Sequence, residues 1–173
     1  VWMAEGSPLK VHTSAAAKAV QARFGDALVV DWAMRYGDRS LGERIAALHR
    51  EGCDRILIAP MYPQYAQSTV ASVADAAGAQ LARMNWQPAL RFAAPFYDAP
   101  SYVDALRRSI SENLGAAGFA PERVLLSFHG APQRQLAAGD PYYCHCAKTA
   151  RLLREAMGWS EEFAPLVFQS RFG

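Results

Sequence analysis

Five short apolar segments alternate with stretches of helical periodicity along the whole chain. The apolar segments are Leu28–Trp32, Arg55–Met61, Ala89–Pro95, Arg123–Phe128 and Leu166–Gln169. The helical patterns cover about Thr13–Phe24, Leu41–Glu51, Gln67–Met84, Ser101–Ala117 and Ala147–Met157. Near-continuous apolar strands that alternate with helices indicate a parallel sheet covered by helices on both faces. We therefore predict a doubly wound α/β fold.

The composition is typical of a globular protein and excludes several other classes. Half of the 173 residues are apolar, and the formal net charge is only +2. This weak charge gives no reason to expect a nucleic-acid partner. No apolar run approaches the roughly 18 residues needed to span a bilayer, and no charged-then-apolar leader opens the chain. We expect a soluble, cytoplasmic protein; a peripheral membrane contact and the oligomeric state stay open.

Both ends of the chain resemble interior sequence. The chain opens on VWMAEGSPLK without an initiator Met at its head, and it closes on LVFQSRFG, an apolar strand that leads into a glycine. We therefore expect these residues to be a piece of a longer protein.

The loops at the carboxyl ends of the strands carry the functional predictions, because ligands of doubly wound sheets bind there. The aromatic and ionisable residues at these ends are Arg35 and Tyr36, then Tyr62 and Tyr65, then His129. Each of them alone has a structural explanation as a packing or hydrogen-bonding residue, and no glycine pattern for phosphate binding is present. Three such loops on one sheet edge together favour a flat, partly apolar, anionic ligand.

Six motifs along the chain resemble successive motifs of the ferrochelatase family, closest to its bacterial type. They are GSPL (Gly6–Leu9), MRY (Met34–Tyr36), YPQYAQST (Tyr62–Thr69), SFHGAP (Ser127–Pro132), GDPYYCHCAKT (Gly139–Thr149) and FQSRFG (Phe168–Gly173). They occur in the family's order and with similar spacing. YPQY and FQSRFG are distinctive, whereas SFHG alone would be weak evidence.

The resemblance implies two similar Rossmann-like domains with a porphyrin cleft between them, both incomplete here. Residues 1–88 would belong to the N-terminal domain and residues 89–173 to the C-terminal domain. The implied enzyme is a lyase that inserts ferrous iron into protoporphyrin IX, or coproporphyrin, in haem synthesis. Porphyrin and Fe²⁺ are then substrates, and no further cofactor is firmly implied. The family's first strand and the acidic partner of its histidine would lie outside these residues, so we expect the piece alone to be inactive.

The implied site residues have suitable chemistry. Two pyrrole N–H protons must leave as the metal enters, and a neutral imidazole can accept a proton or bind a divalent metal near neutral pH. His129 is therefore expected to be the catalytic residue, as metal ligand or as proton acceptor; the sequence does not separate these roles. A guanidinium group matches a propionate carboxylate in a two-pronged geometry. The residues expected to contact the porphyrin are Arg35, Tyr36, Met61, Tyr62, Ser68 and Thr69.

The cysteines raise one alternative. Some ferrochelatases carry a [2Fe–2S] cluster, and Cys144 and Cys146 flank His145 in the sequence, but such a cluster normally takes four ligands. The third cysteine, Cys53, precedes a different predicted strand, so free or structural thiols are the favoured interpretation. The odd number of cysteines also argues against a disulfide framework.

Two other functions stay open. A cobaltochelatase acting on a sirohydrochlorin-type ring shares the fold and a histidine. A non-catalytic tetrapyrrole-binding module would keep the pocket without the chemistry.

Overall fold

The computed structural model describes residues 6–170 of the chain. Its helices are α1 (Pro8–Phe24), α2 (Leu41–Arg50), α3 (Ser72–Leu81), α4 (Pro100–Ala116), α5 (Gln133–Ala137) and α6 (Tyr142–Met157). Its strands are β1 (Arg55–Ile58), β2 (Ala89–Phe92), β3 (Leu126–His129) and β4 (Leu166–Gln169). A 3₁₀ turn lies at Gly25–Ala27 and a π-helical turn at Gln67–Ala71. Both strand pairs are parallel, which confirms the predicted α/β class.

The described residues divide into two compact units. The first unit contains residues 6–58 together with Ser72–Phe92, and the second contains Ala59–Ala71 together with residues 93–170. Each unit holds one parallel strand pair and its own hydrophobic core. The predicted division into residues 1–88 and 89–173 as domains stays a prediction.

The first unit is built around the pairing of β1 with β2. Ile56 lies opposite Leu90 in this pair, and both pack against the buried residues of α2 and α3. The buried members of this core are Ile45, Ile58, Val73 and Ala77. Helix α2 begins with a reciprocal capping box, in which Ser40 and Glu43 each accept a hydrogen bond from the other's backbone N–H. Such a box satisfies two backbone donors that the first helical turn leaves without partners.

The second unit is built around the pairing of β3 with β4. Leu126 lies opposite Leu166, and the buried residues of α6 cover the pair. The core contains Leu126, Ala150, Leu153 and Ala164, with Trp159 and Phe163 packed at its margin. Helix α6 ends at Gly158, whose φ of 70° is the left-handed conformation that glycine adopts without steric cost.

The predicted first strand, Leu28–Trp32, is wrong. The backbone is extended at Leu28, but no residue of the segment belongs to a strand in the described part of the chain. The Gln21 side chain satisfies its backbone instead: Val30 N–H donates to Oε1 at 2.8 Å, and Nε2 donates to the Leu28 carbonyl at 2.9 Å. An apolar run predicts burial, but a strand also needs a neighbour to pair with.

The other predicted elements are present with shifted ends. Strands β1 and β2 end at Ile58 and Phe92, each three residues earlier than predicted, whereas β4 has the predicted bounds. Strand β3 extends to His129, so this residue is the last of the strand. Helix α6 begins at Tyr142, five residues earlier than predicted. Between residues 6 and 170, none of the helices combines the length and the apolar character required to cross a membrane.

Candidate functional site

His129 lies at the carboxyl end of β3, opposite Gln169 of β4. Gly130 N–H donates to the Gln169 carbonyl at 2.7 Å, which extends the strand pairing one residue past the histidine. Side chains alternate along a strand, and Leu126 and Phe128 occupy the face that packs on the core. His129 therefore lies on the opposite face, where it is exposed. This is the position at which a parallel sheet presents a side chain to a ligand.

Tyr142, the first residue of α6, contacts His129 from the side. The Tyr142 hydroxyl is hydrogen-bonded to the backbone of His129 and to the thiol of Cys146. Burial, followed by the effect of Cys146, raises the pKa of Tyr142 far above its ordinary value, so the phenol stays protonated. Burial likewise raises the pKa of Cys146 to about 11. This neutral pair connects the first turns of α6 to the end of β3.

The long loop after His129 is partly helical and lines an open cavity of about 460 Å³. It contains the five-residue helix α5, and its last residues are held by Asp140. The Asp140 carboxylate accepts from Tyr142 N–H at 2.9 Å and from Gln67 N–H at 2.7 Å. On the far wall of the cavity, the rings of Tyr143 and Phe168 stack with centroids 5.7 Å apart. The loop thus lines a cavity beside β3.

The segment from Met61 to Thr69 belongs to the same unit as His129. Met61 is 65% exposed and Tyr62 is 37% exposed, so their side chains are accessible to a ligand. Ser68 is exposed, and the Thr69 hydroxyl donates to the Ala66 carbonyl at 3.2 Å inside the π-helical turn. Turns of this kind interrupt helices at functional sites more often than elsewhere.

Three polar contacts hold this segment in the second unit. Gln64 Nε2 donates to Thr149 Oγ1 at 3.0 Å, and Tyr65 N–H donates to His145 Nδ1 at 3.1 Å. The third is the bond from Gln67 N–H to Asp140 described above. Thr149 is only 1% exposed, and its hydroxyl also donates to the backbone of the helix or of residue 97. Helix α6 therefore contacts both the end of β3 and the segment 61–69.

Arg35 and Tyr36 lie in the first unit. Arg35 Nε donates to the Ser72 carbonyl at 2.9 Å, and its guanidinium carbon lies 4.4 Å from the centroid of the Tyr36 ring. Tyr36 is 69% exposed, whereas Arg35 is half-buried. Because a guanidinium has five N–H donors, the bond from Nε leaves its other edge with donors for a carboxylate. The segment before Arg35 is not a strand, so this pair lies in a loop rather than at a strand end.

The described cysteines and acids do not form a metal centre. Within residues 6–170, no group of three or more His, Cys, Asp or Glu side chains is arranged to hold a metal ion. Cys53 lies in the first unit, and Cys144 and Cys146 lie in the second. Metals and clusters bind the thiolate, and a buried Cys146 with a raised pKa disfavours that form.

The sequence did not predict the supporting residues of this site. Tyr142, Asp140 and Thr149 lie in the GDPYYCHCAKT motif, but each also has a partner outside it, 13 to 85 residues earlier in the chain: His129, Gln67 and Gln64. In the sequence, His145 is distinguished only by its place between Cys144 and Cys146. The one available signal was the density of polar and aromatic residues in this motif at the start of a helix.

Comparisons with known proteins agree with the motifs. The sequence model of the family described as Ferrochelatase matches residues 2–173. The ferrochelatase of Rhizobium meliloti (strain 1021) is 51% identical over 167 residues, which cover 95% of this chain and 49% of the relative. The ferrochelatase of Azoarcus sp. (strain BH72) is 49% identical over 175 residues, covering 100% of this chain and 48% of the relative. The chain thus spans about half the length of the curated relatives it matches.

Proposed function

Because the chain belongs to the ferrochelatase family, we propose that the protein containing it inserts Fe²⁺ into protoporphyrin IX or coproporphyrin. Family membership with an exposed His129 at the carboxyl end of a parallel strand carries this proposal. In the reaction, the ring nitrogens bind the metal while two pyrrole N–H groups lose their protons. The protein must therefore accept protons and bind the metal at one place.

We propose that His129 performs this chemistry, as metal ligand or as acceptor of a pyrrole proton. Both roles need a lone pair on a ring nitrogen, which the neutral imidazole has and the imidazolium lacks. The hydrogen bond that the Tyr142 oxygen accepts from the backbone of His129 supports the role, because it fixes the main chain from which the imidazole projects.

We propose that the porphyrin ring and its propionates contact Arg35, Tyr36, Met61, Tyr62, Ser68 and Thr69. Met61, Tyr62 and Tyr36 offer apolar and aromatic surface to a flat macrocycle, and all three side chains are exposed. Arg35 would pair with a propionate through the edge of its guanidinium opposite to Nε. Ser68 and Thr69 would contact the ring margin or a propionate by hydrogen bonds. In this proposal residues 1–88 and 89–173 belong to the N- and C-terminal Rossmann-like domains of the enzyme, which acts in the cytoplasm.

The test is an insertion assay on the full-length protein. Protoporphyrin IX and coproporphyrin are each supplied with Fe²⁺, and a sirohydrochlorin-type ring is supplied with Co²⁺. Product is followed by its absorbance, with the His129→Ala variant as the matched control. Iron insertion into a porphyrin by the wild type, lost in the variant, supports the proposal. Cobalt insertion into the sirohydrochlorin-type ring alone would favour the cobaltochelatase, and tight porphyrin binding without any insertion would favour the binding module. Because these residues span about half of each relative, we expect the 173-residue chain alone to be inactive.

A further inference from the structure

His145 lies in the first turn of helix α6 and is hydrogen-bonded to the segment 61–69. Its Nδ1 accepts a hydrogen bond from Tyr65 N–H at 3.1 Å. Tyr65 lies between Met61 and Tyr62 on one side and Ser68 and Thr69 on the other, which are the residues proposed to contact the porphyrin. The bond therefore holds the backbone at the middle of this segment.

The ring of Tyr97 fixes the plane of the imidazole. The two ring centroids are 3.6 Å apart and the planes differ by 10°, so the rings are stacked face to face. Stacking restricts rotation of the imidazole about its bond to the Cβ atom, which keeps Nδ1 directed at the Tyr65 amide. His145 is half-buried, and it lines a cavity of about 450 Å³ together with Tyr65 and Asp140.

The hydrogen bond requires a neutral imidazole. Nδ1 accepts a proton from the backbone only if it carries none itself, so the proton of the neutral ring is on Nε2. Burial lowers the pKa of His145 from 6.5, and Lys148 acts in the same direction, while Asp98 and Asp140 oppose them. Both carboxylates have other partners: Asp98 is paired with Lys148 at 2.7 Å, and Asp140 accepts from two backbone amides. The neutral form is thus the one favoured at neutral pH.

We propose that His145 is a positioning residue for porphyrin binding: it holds the Tyr65 backbone and so fixes the segment that presents Met61, Tyr62, Ser68 and Thr69. The porphyrin part of this inference rests on the proposed function. His145 itself touches neither the substrate nor the metal. Its effect is on the affinity for the porphyrin, and it acts at a place different from that of His129.

Two variants of the full-length protein test separately the hydrogen-bond acceptor and the aromatic ring of His145. His145→Phe keeps an aromatic ring to stack on Tyr97 but has no acceptor. His145→Asn loses the ring but places an amide oxygen close to the position of Nδ1. We expect His145→Phe to raise KM for the porphyrin roughly five- to tenfold, the size of effect that losing one hydrogen bond gives, with kcat within about threefold of the wild type. His145→Asn should restore most of the affinity.

The pH dependence gives a second readout. In the wild type, KM should rise as the pH falls through the pKa of His145, because the imidazolium cannot accept from Tyr65 N–H. His145→Asn should lack this rise while keeping any change in kcat that comes from His129.

Hydrogen exchange tests the structural part without using activity. Amides of a peptide that includes Tyr65 should exchange faster in His145→Phe than in the wild type and in His145→Asn. Unchanged exchange and unchanged KM in His145→Phe would overturn the proposal. If the wild type inserts no metal and binds no porphyrin, the proposed function fails. In that case, faster exchange in His145→Phe still supports the role of His145 in holding the segment 61–69. Unchanged exchange in His145→Phe refutes that role.

Discussion

The hydroxyl of Thr149 accepts a hydrogen bond from the side chain of Gln64, 85 residues earlier, at 3.0 Å. The same hydroxyl lies 2.7 Å from the Tyr97 carbonyl and 3.0 Å from that of His145, and Thr149 is 1% exposed. One buried oxygen therefore connects helix α6 with two separate loops.

The first prediction follows from this buried hydroxyl. Thr149→Val keeps the volume of the side chain but removes the oxygen that accepts from the Gln64 amide and the proton donated to the Tyr97 or the His145 carbonyl. We expect the free energy of unfolding to fall by roughly 1–3 kcal/mol, the cost of unsatisfied buried polar groups. Urea denaturation of the full-length protein measures it. Thr149→Ser, which keeps the hydroxyl, is the control and should lose less; an equal loss would attribute the effect to the methyl group.

His129→Ala should abolish iron insertion while sparing the fold. The side chain is exposed, so its removal leaves no cavity in the core that Leu126 and its neighbours form. The melting temperature is expected to stay within a few degrees of the wild type, because surface substitutions usually change stability by less than about 0.5 kcal/mol. A variant that inserts iron at a near-normal rate would remove His129 from the mechanism.

Arg35→Leu should weaken porphyrin binding more than it lowers stability. The change removes the bond from Nε to Ser72 as well as the proposed pairing with a propionate, so some loss of stability is expected. Arg44→Leu is the matched control, since Arg44 is paired with Asp31 and has no proposed ligand contact. Fluorescence titration should show weaker porphyrin binding for the first variant only. The wild type should also bind the propionate dimethyl ester poorly; equal affinity for acid and ester would refute the ion pair.

The two cysteines of α6 should differ in reactivity. Cys144 is exposed, whereas Cys146 is fully buried, bonded to Tyr142, and has a pKa raised to about 11. Since the thiolate is the nucleophile, a disulfide reagent at about pH 8 should label Cys144 rapidly and Cys146 only after unfolding. Mass spectrometry of peptides from Cys144→Ser and Cys146→Ser variants identifies each site. Rapid labelling of Cys146 in the native protein would contradict its position in the core.

Because of Asp31, the free energy of unfolding should decrease at acid pH. Burial alone would raise its pKa, but hydrogen bonds from Trp32 N–H, Arg44 and Arg39 outweigh burial and hold the pKa below 3.8. A folded-state pKa below the unfolded value adds stability that is complete above about pH 5 and is lost as the pH falls through the folded-state pKa. Asp31→Asn should therefore destabilise the protein at pH 7 and make little difference near pH 2. The same destabilisation at both values would assign the effect to packing.

The sequence predicted the helices and strands that are indicated by the pattern of neighbouring residues alone. The helical period of residues 101–117 and the apolar run at Leu166–Gln169 each indicated an element that the structure contains. Leu28–Trp32 failed because an apolar run does not state whether a neighbouring strand exists, and here Gln21 satisfies the backbone. The first turn of α6 was missed because Tyr, Cys and His are weak helix formers, and its start depends on Asp140.

The location of His129 was predictable from the sequence, whereas its function stays a proposal. An imidazole at the end of an apolar strand indicated a ligand or base, and the structure locates it on the exposed face of β3. The roles of Tyr142, His145 and Thr149 were not predictable, because each depends on a partner that only the folded chain brings near. His145 illustrates this: its neighbours in sequence are two cysteines, but its contacts are a tyrosine ring and a distant backbone amide.

The contacts of the segment 61–69 form late during synthesis of the protein. Its partners Asp140, His145 and Thr149 follow it by 73 to 85 residues, so they leave the ribosome later. At roughly 5–20 residues per second, the 80 to 85 residues that separate Gln64 and Tyr65 from their partners take about 4–17 s to translate. During this interval the nascent segment, with Met61 and Tyr62, has none of these contacts and is open to chaperones. Contacts between residues this far apart in sequence also slow folding, because a long loop must close before the contact can form and stabilise the fold. The segment 61–69 therefore gains these three contacts only after the residues of α6 have been translated.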